Sequence, residues 1–186
     1  MGAPAAGKSS CAAEAFARLR DDGHPVELVS EFAREFISAN GGINHAYEQV
    51  YLAREQRRRE EILARNPKTI VLSDSPFLIN HVYCGLLTGK QGRKKSPEGT
   101  ALMMQTLYTE FLDALRVYDL IFFVEKPETG TQSDGIRIHT QSESKTIERI
   151  MLAFLDMHGG PDWLVKGDLS YKERAAFIVK KIKEAM

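Results

Sequence analysis

The stretch GAPAAGKSS, Gly2 to Ser10, sets two glycines, a lysine and a serine at the spacing G-x-x-x-x-G-K-[ST]. Each residue type has a mechanical reason. Gly2 and Gly7 let the backbone turn so that successive N–H groups point inward, a cradle for phosphate oxygens. Lys8 can reach the β- and γ-phosphates of a nucleoside triphosphate such as ATP, and the Ser9 hydroxyl can ligate Mg²⁺. The cradle comprises Gly2, Ala3, Pro4, Ala5, Ala6, Gly7, Lys8 and Ser9, with Ser10 as an extra hydroxyl. An amphipathic run follows, with Ala12, Ala15, Phe16 and Leu19 on one face and Gly23 as terminator. Such a helix turns its positive N-terminal end on the same anion.

A partner for this loop is expected at the end of a buried strand. TIVLSD, Thr69 to Asp74, has that form. A carboxylate at Asp74 would hold the metal through water or orient Ser9; the competing role is N-cap of the helix that follows. SEFAREF places Glu31 and Arg34 just after another short strand, at the edge where open α/β sheets bind ligands. Glu31 is the candidate general base or ligand of an acceptor hydroxyl, and Arg34 a candidate substrate or phosphate contact. SDGIR presents Asp134 and Arg137 from a turn-rich segment, the composition of a lid, with Arg137 set to neutralise a transferring phosphoryl group.

The elements that must position these groups alternate. Helices are expected over Ser9–Asp22, His45–Arg65, Phe77–Leu87, Ala101–Arg116 and Lys145–Met157, with a last one opened by Ser170 and Glu173 at capping-box spacing. Strands are expected at VELVSE, TIVLSD, LIFFVEK and Trp163–Lys166. This order argues for an α/β fold, a parallel sheet with helices on both faces. One domain over residues 1–186 is expected, with a mobile basic loop near 88–99 and a lid near 127–144. Tyr47, Tyr51 and Tyr83 could stack on a base, although packing within the helix core is the expected role of each.

Composition excludes several classes. The 25 basic and 25 acidic residues cancel, which gives no global field for nucleic acid or an anionic membrane. Two cysteines without metal-ligand spacing and the absence of a long apolar run point to a cytoplasmic protein.

The motifs GAPAAGKSS, SEFAREF, the Asp74 strand with FLINHVYC behind it, YDLIFFVE and SDGIR occur in an order that resembles bacterial ribosylnicotinamide kinases. These belong to the NadR-like P-loop kinases, a group that includes small kinases from phages. The resemblance implies a nucleoside-kinase-like sheet ordered 2-3-1-4-5 and ATP-dependent phosphorylation of a nucleoside 5′-hydroxyl. It favours Glu31, Asp74 and Arg137 as site residues. Pro76 stands where that family often has a second acid, which widens the acceptor class to other nucleoside-like molecules. In the 2-3-1-4-5 order, strand one precedes Gly2, and only Met1 stands there. Its absence is expected to leave a gap between strands three and four, and hence to indicate a shortened chain or a strand supplied by another segment or another chain. Two rival readings remain: a kinase acting on modified nucleotides in DNA, which the basic loop would serve, and a regulatory P-loop ATPase with a partner protein.

Overall fold

The computed structural model describes residues 1–91, 97–128 and 140–186. The order is α1 (Lys8–Asp21), β1 (Val26–Val29), α2 (Phe32–Asn40), α3 (Glu48–Leu63), β2 (Ile70–Ser73), a 3-10 turn (Phe77–Ile79), α4 (Asn80–Gln91), α5 (Pro97–Val117), β3 (Phe122–Val124), α6 (Gln141–Asp156), β4 (Trp163–Val165) and α7 (Tyr171–Ala185). The chain gathers into two compact units. The first comprises Met1–Ser30, Glu60–Ser75 and Leu120–Met186, and the second Glu31–Arg59 and Pro76–Asp119.

The four strands among the described residues lie in the first unit. β1 pairs in parallel with β2, Val26 opposite Ile70 and Val29 opposite Ser73. β3 pairs in parallel with β4, Phe122 opposite Trp163 and Val124 opposite Val165. These are the segments expected as strands two with three and four with five. Among the described residues no ladder joins β2 to β3. Met1 lies along β3: its amine donates to the Phe122 carbonyl at 2.5 Å, and the Val124 N–H donates to the Met1 carbonyl at 2.7 Å.

Helix α1 packs on α7 and β1. Cys11, Ala15 and Leu19 meet Ile178, Val179 and Ile182 in a core that also holds Val26, Val124 and Val165. Burying each large aliphatic side chain contributes about 1.5–3 kcal/mol before entropy is counted. The Ser170–Glu173 capping box forms as expected, with Ser170 receiving the Glu173 N–H and Glu173 receiving the Ser170 N–H. A second box, Thr140 with Glu143, starts α6 at Gln141, ahead of the expected Lys145.

Three segments differ from the expectations or add to them. SEFAREF is largely a helix of its own, α2, ended by Gly41 at φ 74°. The pattern of apolar residues expects Tyr47, Val50, Tyr51 and Ile62 near one stripe of the long helix, but Tyr47, Tyr51 and Ile62 are exposed and Val50 is half-buried. The buried side carries Gln49, Leu52, Ala53 and Gln56, and further along Glu60, because these polar groups find partners. Gln49 accepts from Asn80 Nδ2 at 2.9 Å, and Gln56 from the Phe32 N–H at 2.9 Å. Within the first unit, Glu60 accepts from the Ser73 hydroxyl at 2.5 Å. Buried polar groups cost little once so paired. The expected loop at 88–99 is also shorter, since α4 runs to Gln91 and α5 starts at Pro97, where proline's fixed φ suits a first helical turn.

An ion-pair network ties α2 to α3. Arg58 and Arg59 both donate to Glu55, and Arg59 also donates to Glu35 at 2.6 and 2.8 Å. The Arg58 hydrogen bonds first, and those of Arg59 next, hold the Glu55 carboxyl down at about 2. A depressed carboxylate stabilises the fold above its unfolded value of 4.5, and that contribution is lost as pH falls towards 2. Glu55→Gln is therefore expected to lower Tm by roughly 1–2 °C at pH 7, a surface pair being worth about 0.5 kcal/mol. Melting curves of the two proteins should converge as pH falls towards 2; a gap of constant size would contradict this reading.

Candidate nucleotide site

The loop from Gly2 to Gly7 folds tightly on the first unit. Ala3 and Ala6 are fully buried, and the Ala6 N–H donates to the Ala3 carbonyl at 3.2 Å. Gly7 adopts φ 85°, and Ala5 adopts φ 67°, a left-handed conformation that costs an alanine about 1–2 kcal/mol. Gly2 stands at φ 151°, where a Cβ would lie 2.3 Å from the Val124 carbonyl oxygen. Only glycine lets the loop pass this close to β3.

Gly7 is the N-cap of α1. No side chain caps that end, and no acid occupies the first turn. The helix thus presents its N–H groups and its partial positive charge without an internal carboxylate to quench them. Lys8 Nζ donates to the Ala3 carbonyl at 3.2 Å, so the ammonium arches back over the loop. Ser9 and Ser10 are exposed.

Asp74 follows β2 directly, and its N–H extends the ladder by donating to the Val29 carbonyl at 3.1 Å. The carboxylate is buried, with Oδ1 unpartnered, and the neighbouring Ser75 hydroxyl is likewise buried and unpartnered. Asp74 does not cap the following turn, whose N-cap is Pro76 without a side-chain cap. Two buried oxygens left unsatisfied are what a hydrated cation would complete. Burial pulls the Met1 ammonium down to about 5; the Lys8 charge adds to the fall and the Asp74 charge opposes it. Sequence reasoning missed Ser75, although a hydroxyl beside the aspartate in SDSP was the signal.

Glu31 and Arg34 belong to the second unit. Glu31 is the N-cap of α2, but its side chain does not cap the helix. Burial pushes the Tyr83 phenol well above its usual range, and the Glu31 charge adds to the rise. Tyr83 is half-buried, in keeping with core packing, but Tyr51 is 53% exposed and leans on Phe32 and Phe36 at centroid distances of 5.7 and 5.9 Å. The Arg59 guanidinium covers the Phe32 ring at 4.4 Å. Tyr47 is 63% exposed and stacks on His45. For Tyr47 and Tyr51 the helix-core expectation therefore gives way. Asp134 and Arg137 lie outside the described residues, as does most of the expected lid, and its end at 140–144 is the cap and first turn of α6.

Parallel strand pairs, a glycine-lysine-serine loop opening α1 and an unsatisfied aspartate after β2 define a nucleotide-binding P-loop protein of the α/β NTPase type. A family model described as AAA domain matches residues 1–174, and the chain belongs to that family. No curated protein matches the sequence. Among the described residues, no helix is long and apolar enough to cross a membrane.

Proposed function

We propose that the protein is a P-loop kinase, which transfers the γ-phosphoryl group of ATP to a hydroxyl of a nucleoside-like small molecule. One observation carries the choice of a kinase over a bare ATPase. The segments that follow β1 and β2, Glu31–Arg59 and Pro76–Asp119, form a compact unit of their own, with Glu31 at its entry and the half-buried Phe32 and Phe36 of α2 against the exposed Tyr51 of α3. An ATPase core needs no such unit, whereas a metabolite kinase must bind an acceptor and exclude water. The motif order shared with ribosylnicotinamide kinases supports a nucleoside as acceptor.

In this reading the Gly2–Ser10 loop binds the triphosphate, and Lys8 balances charge on its β- and γ-phosphates. Glu31 takes the proton of the acceptor hydroxyl as its oxygen bonds to the γ-phosphorus and the bond to ADP breaks. Arg34 and Asp134 are assigned to the acceptor, and Arg137 to the transferring phosphoryl. Mg²⁺, when bound, neutralises the phosphate charge; Ser9 and Asp74 fit it as ligands, directly or through water. The orphaned Asp74 Oδ1 supports that fit.

Incubation with Mg·ATP and a panel of nucleosides, nicotinamide riboside included, tests the proposal. Mass spectrometry should find a monophosphate product that Lys8→Ala does not make. Membership of the AAA domain family sustains one other reading, a regulatory ATPase, and hydrolysis without a phosphorylated product would select it. Asp74→Asn is expected to raise the Mg²⁺ concentration needed for turnover and to lower kcat by roughly 10²-fold. Binding of metal-free ATP should stay within a few-fold of wild type, measured by calorimetry with chelator present. If Asp74 served only the fold, Tm would drop and the Mg²⁺ titration would be unchanged.

A further inference from the structure

Arg174, in the first turn of α7, is 4% exposed. Its three hydrogen bonds to oxygen all go to backbone carbonyls. Nε donates to Leu169 at 2.8 Å, Nη2 to Gly167, and Nη1 to Ala6 at 2.8 Å. Among the described residues no carboxylate pairs with it. The nearby Cys11 thiol does not serve as counter-ion, because burial pushes it up and keeps it neutral, against the pull of Arg174. A buried guanidinium without a counter-charge is costly, and three neutral carbonyls offset that cost only in part.

The Ala6 carbonyl is the telling partner. In a trans peptide the C=O and the following N–H point in opposite directions. A guanidinium on the Ala6 carbonyl therefore sets the Gly7 N–H facing away from Arg174. It also draws electron density towards the carbonyl oxygen, which makes that N–H a stronger donor to an anion. Nη1 also lies beside Gly7, where a Cβ would stand at van der Waals contact, 3.6 Å. The same guanidinium holds Gly167 and Leu169, the turn between β4 and α7, so one side chain fixes the phosphate loop and that turn together.

We propose that Arg174 is a positioning residue for the phosphate loop: it orients and polarises the Ala6–Gly7 peptide, and the anion bound in the loop is the missing counter-charge of its guanidinium. This rests on the loop binding polyphosphate. The ligand class is any di- or triphosphate, and the base of the nucleotide does not enter.

The test uses full-length protein with pyrophosphate and ATP as probes, measured by calorimetry. Arg174→Lys keeps the charge but cannot span three carbonyls, and Arg174→Met removes the charge at similar volume. Both are expected to weaken pyrophosphate and ATP about tenfold or more while remaining folded by circular dichroism. Affinities within twofold of wild type in a folded variant would overturn the proposal, because a purely structural role lowers Tm without changing Kd. A measurement on unaltered protein guards against variants that do not fold. The Arg174 Nε–H resonance should shift when pyrophosphate is added to wild type and not when it is added to Lys8→Ala; an unmoved resonance in saturated wild type would overturn it too. If wild type binds neither probe, the nucleotide reading itself falls, and the role of Arg174 with it.

Discussion

With Lys8 replaced by alanine, the protein is expected to bind Mg·ATP at least ~100-fold more weakly, at nearly unchanged Tm. The two halves of this result come from different contacts. In the fold, Lys8 makes one hydrogen bond, to the Ala3 carbonyl at 3.2 Å, and is partly solvated. Losing such a bond costs about 1 kcal/mol or less. In the loaded loop the same ammonium would lie against two phosphates, beside the uncapped end of α1, where a charge-assisted contact is far stronger. Calorimetry of the folded variant checks affinity, and a melting curve checks stability. A variant that still bound Mg·ATP within a few-fold of wild type would remove the phosphate cradle from the account.

The second large effect is a stability effect. Gly2→Ala is expected to cost about 3 kcal/mol, since the new methyl group must displace the β3 backbone or the loop. In a domain of this size that lowers Tm by roughly 6–12 °C. The overlap is with the Val124 carbonyl oxygen at 2.3 Å, an atom that also belongs to the sheet and cannot swing aside. Gly23→Ala is the control. Gly23 also has a positive φ, 82°, but nothing lies within 4 Å of its would-be Cβ. Its substitution should cost only the backbone strain, about 1 kcal/mol. Equal losses in the two variants would mean that φ, and not the close approach to β3, governs Gly2.

What could be read from the sequence was whatever left a local signature. Gly2, Gly7, Lys8 and Ser9 do so through spacing, and Ser170 with Glu173 through reciprocal side-chain and backbone bonds. TIVLSD marked β2 because a β-branched run followed by an acid has few other readings. Thr140 with Glu143 carried the same capping signature as Ser170 with Glu173 but stood beside a turn-rich segment, which masked it. The face of α3 was misread because hydrophobicity assigns glutamine and glutamate to solvent. Their partners, Asn80, the Phe32 N–H and Ser73, are set by tertiary structure. Arg174 was invisible for a related reason. Its acceptors are main-chain carbonyls at residues 6, 167 and 169, and a carbonyl is present whatever the side chain.

The packing of α1 on α7 has a consequence for synthesis. Residues 8–21 are buried against residues 171–185, nearly the full chain away. Contacts so distant in sequence close late, because the intervening loop must first lose its entropy. Because α7 follows α1 in the chain, Cys11 and Leu19 lack the Ile178, Val179 and Ile182 side of their core until α7 has been made. A nascent chain stalled before Tyr171 would thus carry the complete nucleotide motif without part of the packing that holds its helix.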